Sequence, residues 1–294
     1  MSHRRDPEGR TNTRAGLLLS LALCALSLGA GCVSPATTLQ TARPADPGQV
    51  TGTLGGSVPV HRAFVDGTID LLRTSADRLG NADTEPLDAE ETHDLVSGSL
   101  AALLFQPTLV TELSVRVGLV EDLDAGVRLT GSNLKLDAKY AFVRSERWDV
   151  ALSAGYVYHT GVGPSAVEVI YEVFETLALA DYARHDLDVA LIASTSPRQA
   201  LSFYAAARYV LAYPDVQLRL PAGATLAGLT DYGTTEPLHI FGPTGGLRLG
   251  SEDVALLLEL GVMYSLYEPP PVLDIPVDLG GLVVTPAVGL DARF

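Results

Sequence analysis

The chain's dominant pattern is a two-residue alternation of apolar and polar positions that begins at Thr111 and returns, segment after segment, to the last residue. Leu113, Val115, Val117 and Leu119 alternate with Glu112, Ser114, Arg116 and Gly118. After the short turn 120–122, Leu123, Ala125, Val127 and Leu129 oppose Asp124, Gly126, Arg128 and Thr130. Leu134, Leu136, Ala138, Tyr140 and Phe142 then oppose Lys135, Asp137, Lys139 and Ala141, and Trp148 to Tyr158 repeats the pattern against Asp149, Ala151, Ser153 and Gly155. Successive side chains of a strand point to opposite faces, so this alternation predicts strands with one apolar face, and ten residues of it fit no helix. Further strands are predicted at 187–194, 201–211, 239–250, 254–267 and 282–294. A weak, Gly-rich one is predicted at 48–60, and the Gly242-Pro243 step reads as a bulge.

The stretch 61–106 breaks the pattern. Val65, Ile69, Leu72, Ala76 and Leu79 fall at helical spacing, and Asp88 to Leu104 reads as a second helix with Asp88 as N-cap and Glu91 three residues on. Such an insert is a cap, a lumen plug or a separate subdomain. The segment 167–182 fits a helix or a strand extension. The connections 61–110, 159–185, 212–236 and 268–280 are long, whereas 120–122, 144–147, 196–199 and 251–253 are short. Only 131–133 is short where the alternation asks for a long loop, a rhythm expected of up-and-down barrels. The fold class is therefore all-β: an antiparallel transmembrane β-barrel of about ten strands, eight and twelve being the neighbouring even counts, with a helical insert between the first two strands. A lipocalin-like barrel or β-sandwich is the soluble competitor, but several strands reach ten residues or more against a usual five or six. No apolar run after residue 31 approaches the length of a membrane helix, so a membrane crossing requires a closed barrel.

The termini add resemblances. The last residues, LVVTPAVGLDARF, end an alternating strand on Phe294 and resemble the final strand of Gram-negative outer-membrane β-barrels, which implies that Phe294 is read by the barrel assembly machinery. At the other end, residues 1–15 carry four arginines, Gly16 to Ala30 is apolar, and Gly29-Ala30-Gly31-Cys32 closes the run, as in a secretory signal. A cysteine after small residues resembles the lipoprotein lipobox, although Leu is usual where Gly29 stands and Leu28 is one place early. The resemblance implies lipidation at Cys32; ordinary signal cleavage is the alternative. Cys24 lies in the signal core, so Cys32 is the one cysteine of a cleaved chain and no intrachain disulfide forms. Val33, rather than Asp, follows it, which by resemblance implies no inner-membrane retention. Residues 33–47 are Pro/Thr/Ala-rich without periodicity and read as a tether; QTARPADPG is similar to the start of some lipoprotein-type outer-membrane proteins. The expected organisation is 1–31 signal peptide, 32–47 flexible tether and 48–294 barrel, with 61–107 the partly helical insert. The expected location is the outer membrane, with outer-membrane lipid as partner and a monomeric state.

Charge decides what the interior holds. The net charge is −15; residues 1–31 contribute +2, leaving −17, which excludes a basic patch for nucleic acid. If the apolar faces meet lipid, the lumen receives Glu112, Asp124, Asp137, Asp149, Asp188, Glu259 and Asp291. It also receives Arg116, Arg128, Lys135, Lys139, Arg208, Arg248 and Arg293. Equal numbers of opposite charges predict a paired network filling a narrow interior, since buried charge is costly unless paired; an ion-selective pore favours one sign. Asp124, Asp149 and Asp188 fall at strand ends, where water reaches. Phe142, Trp148, Phe203 and Phe294 fall at one set of strand ends and Tyr158, Tyr209, Phe241 and Tyr264 at the other, as two interfacial belts would. GTLGGS lacks the Lys-Ser/Thr of a phosphate loop, no Gly-x-Ser-x-Gly elbow is present, and no histidines show metal spacing. A hydrolase reading gathers His159, His185 and His239 at one rim without an identifiable partner. No cofactor or catalytic residue is assigned. The functional expectation is a structural, anchoring or binding barrel with a charge-filled lumen; the alternative is a narrow passive channel.

Overall fold

The computed structural model describes residues 37–67, 69–70, 88–105, 107, 109–131, 133–159, 178–196, 200–219 and 231–294. Its strands are β1 (Val50–Ser57), β2 (Val60–His61), β3 (Val110–Val120), β4 (Leu123–Thr130), β5 (Asn133–Arg144) and β6 (Trp148–His159). They continue as β7 (Ala178–Thr195), β8 (Leu201–Arg219), β9 (Asp231–Thr234), β10 (Leu238–Gly250), β11 (Val254–Leu266) and β12 (Gly281–Arg293), and the helix α1 (Ala89–Phe105) lies between β2 and β3. The strands form one antiparallel sheet that closes on itself where β1 pairs with β12. β2 and β9 are short additions to β12 and β8, so ten strands make the ring. Closure leaves no edge strand in the wall. One rim carries the turns 121–122, 145–147 and 251–253 and the end of β12; the other carries α1 and the connections after β6, β8 and β11. They are called here the short-turn rim and the long-loop rim.

The wall is inverted relative to a water-soluble barrel. Leu136, Leu191, Leu256, Val262 and Leu290 are exposed, while the alternate positions Arg116, Asp137, Asp188 and Arg208 are buried. Phe142, Trp148, Phe203 and Phe294 are exposed near the short-turn rim. Tyr209, Phe241 and Tyr264 sit side by side across β8, β10 and β11 toward the other rim. Trp148 is paired with Thr195 at the foot of β7 and Tyr158 with His185 well up it, which separates the two aromatic levels.

Several boundaries depart from the sequence reading. The described part of the loop expected at 212–236 is mainly strand, with β8 running on to Arg219 and pairing with β9, while 220–230 lie outside the described residues. Pro214 obscured this, but it pairs with Arg184 without a shift in register. Beyond Ala212 the alternation reverses, with Val216 and Leu218 buried and Asp215 and Gln217 exposed. The choice left open for 167–182 falls to strand from Ala178; 167–177 lie outside the described residues. The bulge expected at Gly242-Pro243 is absent. Register to β8 is continuous through both residues, and register to β11 is the same on either side of them, because the prolines's missing N–H removes a ladder bond without adding a residue. Register shifts lie instead at Gly118/Val120, Ala141/Val143 and Leu179/Asp181.

Helix α1 begins as its sequence predicts. Asp88 Oδ1 accepts from the Glu91 amide at 2.9 Å and Glu91 Oε2 accepts from the Asp88 amide at 2.9 Å, a reciprocal capping box. Leu100 and Leu104 are fully buried among Ala212, Val216, Leu218, Leu238, Tyr267, Val277 and Leu279. Of the first expected helix, residues 62–67 and 69–70 are helical and 71–79 lie outside the described residues. Where the insert meets the wall, His61 stacks on Phe105 with ring centroids 3.7 Å apart. Its Nδ1 accepts from the Ala63 amide, so Nε2 carries the proton and donates to Ser265 Oγ at 2.6 Å. The long-loop half of the interior is thus built mainly around an apolar core, with the buried Arg184–Asp186 pair beside it.

Candidate functional site

The short-turn half of the interior is filled differently. Eight-stranded barrels are narrow enough for wall side chains to fill, and diameter grows with strand number. The surplus width of this ring is taken by the chain itself: residues 37–47, read from composition as a tether, run through the lumen to the short-turn rim, turn at Gly48 and rise as β1. Thr37, Thr38, Leu39 and Ala42 are buried, and Pro47 makes a bridge to Gly118. The wall is shaped for this path. A Cβ on Gly118 would lie 2.1 Å from the Asp46 carbonyl oxygen, and one on Gly55 2.7 Å from Leu39 Cδ1. Ala141, Ala151, Ala190 and Ala206 line the space around Ala42. The cavity left between segment and wall is about 30 Å³, room for a water molecule or two.

The wall grips the segment mainly by its backbone. Glu259 accepts from two successive amides, Thr38 N at 2.6 Å and Leu39 N at 2.7 Å, one on each carboxylate oxygen. Leu39 has φ 40°, the left-handed conformation that turns neighbouring N–H groups toward one anion. Arg128 donates to the Thr37 and Thr38 carbonyls at 3.1 and 2.8 Å, and Arg208 donates to the Thr37 carbonyl at 2.8 Å. Lys139 reaches the Thr41 and Arg43 carbonyls. Ser194 Oγ accepts from Ala42 N and Asp124 from Ala45 N, both at 3.1 Å. Side-chain contacts are fewer: Thr37 Oγ1 with Glu112, Thr38 Oγ1 with Thr244, and Arg43 with Asp149.

The remaining charges bind one another. Arg116 bridges Asp124 at 2.6 Å and Asp137 at 2.5 Å. Asp188 accepts from both Arg208 and Lys135, and Lys135 also faces Asp137 at 3.6 Å. Hence Glu112, Arg116, Arg128, Lys135, Asp137, Lys139, Arg208 and Glu259 are brought together in the lumen. Arg248, Asp291 and Arg293 are not. Arg248 donates to the carbonyls of Ser251 and Glu252 in the turn, Asp291 accepts from Thr53 Oγ1 at 3.1 Å, and Arg293 faces Glu252 at 3.9 Å. These three brace the short-turn rim. The expectation that Asp124, Asp149 and Asp188 are wet is corrected: all three are buried, Asp124 and Asp149 because Ala45 and Arg43 of the threaded segment cover them, and Asp188 because β7 extends back to Ala178 and Arg208 and Lys135 close over it.

One interior cluster lay mostly in an expected loop. Asp186 accepts from Arg184 Nε at 2.8 Å and faces His159 Nε2 at 3.1 Å, all three buried. The only sequence signal was the persistence of alternation upstream of Leu187. The three histidines do not gather. His159 points inward, whereas His185 contacts the Tyr156 hydroxyl and His239 the Tyr209 hydroxyl on the outer surface of separate strands. Among the described residues no group of three His, Cys, Asp or Glu is placed to hold a metal ion. Cys32 lies outside the described residues. Phe294 is exposed, with its backbone bonded both ways to Val50.

No family model and no curated protein matches the chain. Among solved structures it is similar to Neisserial surface protein A, at 10% identity over 84% of this chain and 96% of that one with a TM-score of 0.31. The translocator domain of the autotransporter NalP from Neisseria meningitidis shows 10% identity, 97% coverage of both chains and a TM-score of 0.35. The N-terminal β-barrel domain of Pseudomonas aeruginosa OprF shows 9% identity, 84% and 98% coverage and a TM-score of 0.28. The closed barrel itself rests on this chain's own strand pairing.

Proposed function

We propose that this chain is an outer-membrane β-barrel protein with a closed lumen and a structural, anchoring or binding role. The observation that carries the reading is the inverted wall: large apolar side chains are exposed and ion pairs are buried. In water that arrangement would lose the hydrophobic term on the outside and bear charge desolvation on the inside. A lipid environment removes the first objection, and pairing answers the second. The occupied lumen supports a closed barrel over an open passive channel. The test is outer-membrane fractionation with gel migration before and after boiling. A membrane-bound species whose migration changes on boiling is expected; a soluble species insensitive to boiling overturns the reading.

Two finer points belong to the same proposal. Phe294 serves as the terminal assembly signal, and Phe294→Ala is expected to lower the yield of folded barrel without altering the stability of what does fold. Cys32 carries a lipid, and this makes a demand on geometry. Thr37 bonds to Glu112, and Glu112 and Val120 stand eight residues apart on β3. With a rise of ~3.3 Å per residue and a tilt of ~40°, Thr37 sits about 20 Å above the short-turn rim. The five residues from Cys32 to Thr37 span at most about 18 Å. An acyl chain in the leaflet beside that rim and residues 37–47 seated in the lumen are therefore alternative states of the chain, and the closed lumen of this proposal is the seated one. Labelling with a lipid precursor, with Cys32→Ala as control, tests the anchor; no label in the parent chain overturns it.

A further inference from the structure

We propose that residues 37–47 are a removable plug and that the lumen wall beneath them is a receptor for peptide main chain bent as it is at Leu39. The inference rests on the outer-membrane reading and goes beyond it by naming the occupant of the lumen and how it is recognised.

Three observations carry it. First, the contacts are to groups every residue has: Glu259 takes two amides, and Arg128, Arg208 and Lys139 take carbonyls. A wall evolved only to neutralise itself would pair these side chains with each other; here Glu259 and Arg128 turn their best hydrogen bonds to the segment, Arg128 meeting Glu112 at 3.5 Å. Charge-assisted bonds to main chain recognise a backbone of small residues in the bent path set by Leu39 and tolerate changes in its side chains. Second, the space is prepared. Gly118 and Gly55 admit the segment where any side chain would collide with it. Third, the segment contributes no strand to the wall. The ring closes by β1 with β12 and β3, so withdrawal of residues 37–47 breaks the Pro47–Gly118 bridge to β3 and none of the strand ladders of the ring. What withdrawal exposes is a polar passage through the short-turn half, leading to the apolar cap formed by α1.

The experiment reads the alkylation rate of a wall cysteine beneath the segment by a water-soluble maleimide, on folded full-length protein in detergent with Cys24→Ala and Cys32→Ala so that neither an acyl chain nor a second thiol intervenes. Ser194→Cys is the reporter, because the Ser194 hydroxyl is buried against the Ala42 amide at 3.1 Å. Leu39→Pro alters only the segment: it removes one amide that Glu259 accepts and forbids the positive φ of that residue. The reporter is expected to label slowly in the parent and at least tenfold faster with Leu39→Pro. A synthetic peptide of residues 37–47 should protect the reporter in Leu39→Pro, and N-methylation at its Thr38 and Leu39 should raise the protecting concentration at least tenfold, because two charge-assisted bonds are lost. Equal labelling rates in the parent and in a Leu39→Pro of unchanged heat-modifiable migration, no protection by the peptide, or a methylated peptide that protects equally well would each overturn the proposal. Loss of heat-modifiable migration in Leu39→Pro alone would show the segment to be part of the fold and not removable. Its absence in the parent would fail the outer-membrane reading instead.

Discussion

The two halves of this barrel are filled by different chemistry, charge around a threaded backbone in one and, in the other, an apolar core with the single Arg184–Asp186–His159 cluster beside it. Toward the short turns, the wall turns arginine, lysine and carboxylate inward around a threaded backbone. Toward the long loops, the buried side chains of α1 meet valine, leucine and tyrosine. Strand β8 passes through both and changes sign on the way. Phe203 and Tyr209 face outward with Arg208 inside, whereas Asp215 and Gln217 face outward with Val216 and Leu218 inside. The wall's polarity follows what lies outside it. On the proposed membrane reading, lipid surrounds this part of the wall, so apolar groups go out and the interior must accept charge. Where water surrounds it, the strand reverts to the arrangement of a soluble sheet and builds a core.

The sharpest way to break this contrast is to remove one charge from the lower half. Arg116→Ala leaves Asp124 and Asp137 facing each other without their shared cation, and the loss is expected to be about 3–5 kcal/mol. A urea titration of the heat-modifiable form measures it, and a loss under about 1 kcal/mol would refute the buried network. Leu104→Ala opens a cavity in the upper half at a cost of about 2–5 kcal/mol. Because that half is a local core, the effect is expected in hydrogen exchange of α1 while the membrane wall keeps its protection; equal loss in both halves would erase the distinction. The change of sign along the wall is tested by a matched pair. Leu136→Arg, on the lipid-facing side, is expected to cost about 2–4 kcal/mol near mid-membrane, and Asp215→Arg, on the outer extension, within about 0.5 kcal/mol. Equal costs would place both positions in the same solvent. Asp88→Ala is the smallest, at about 1 kcal/mol, by loss of one side of the capping box.

Much of the wall was legible because its signals are local. Alternation at Glu112–Leu119 or Val254–Leu266 states which residues share a face, and the Asp88/Glu91 spacing states where a helix begins. The interior charges follow once lipid is placed outside. The pairing of β8 and β9 was hidden by Pro214, whose reputation as a breaker applies to a lost hydrogen bond and not to strand geometry as such. Arg184 and His159 fall in the expected loop 159–185, and Asp186 just before the expected strand, because their burial depends on β6 and β7 continuing together past the regular pattern, a pairing between residues about 25 apart in sequence.

The sequence by itself determined the strands, their pairing into hairpins, the faces they present and the two aromatic levels, since each depends on side-chain type at fixed spacing. Only the tertiary structure decided that the lumen contains residues 37–47, that Glu259 and Arg128 bind a backbone, and that Arg248, Asp291 and Arg293 brace a rim instead of joining the central network. The reason is physical. Amide and carbonyl groups are the same in every residue, so a segment held by its main chain carries no periodicity to read, and which charge meets which is fixed only when the ring closes.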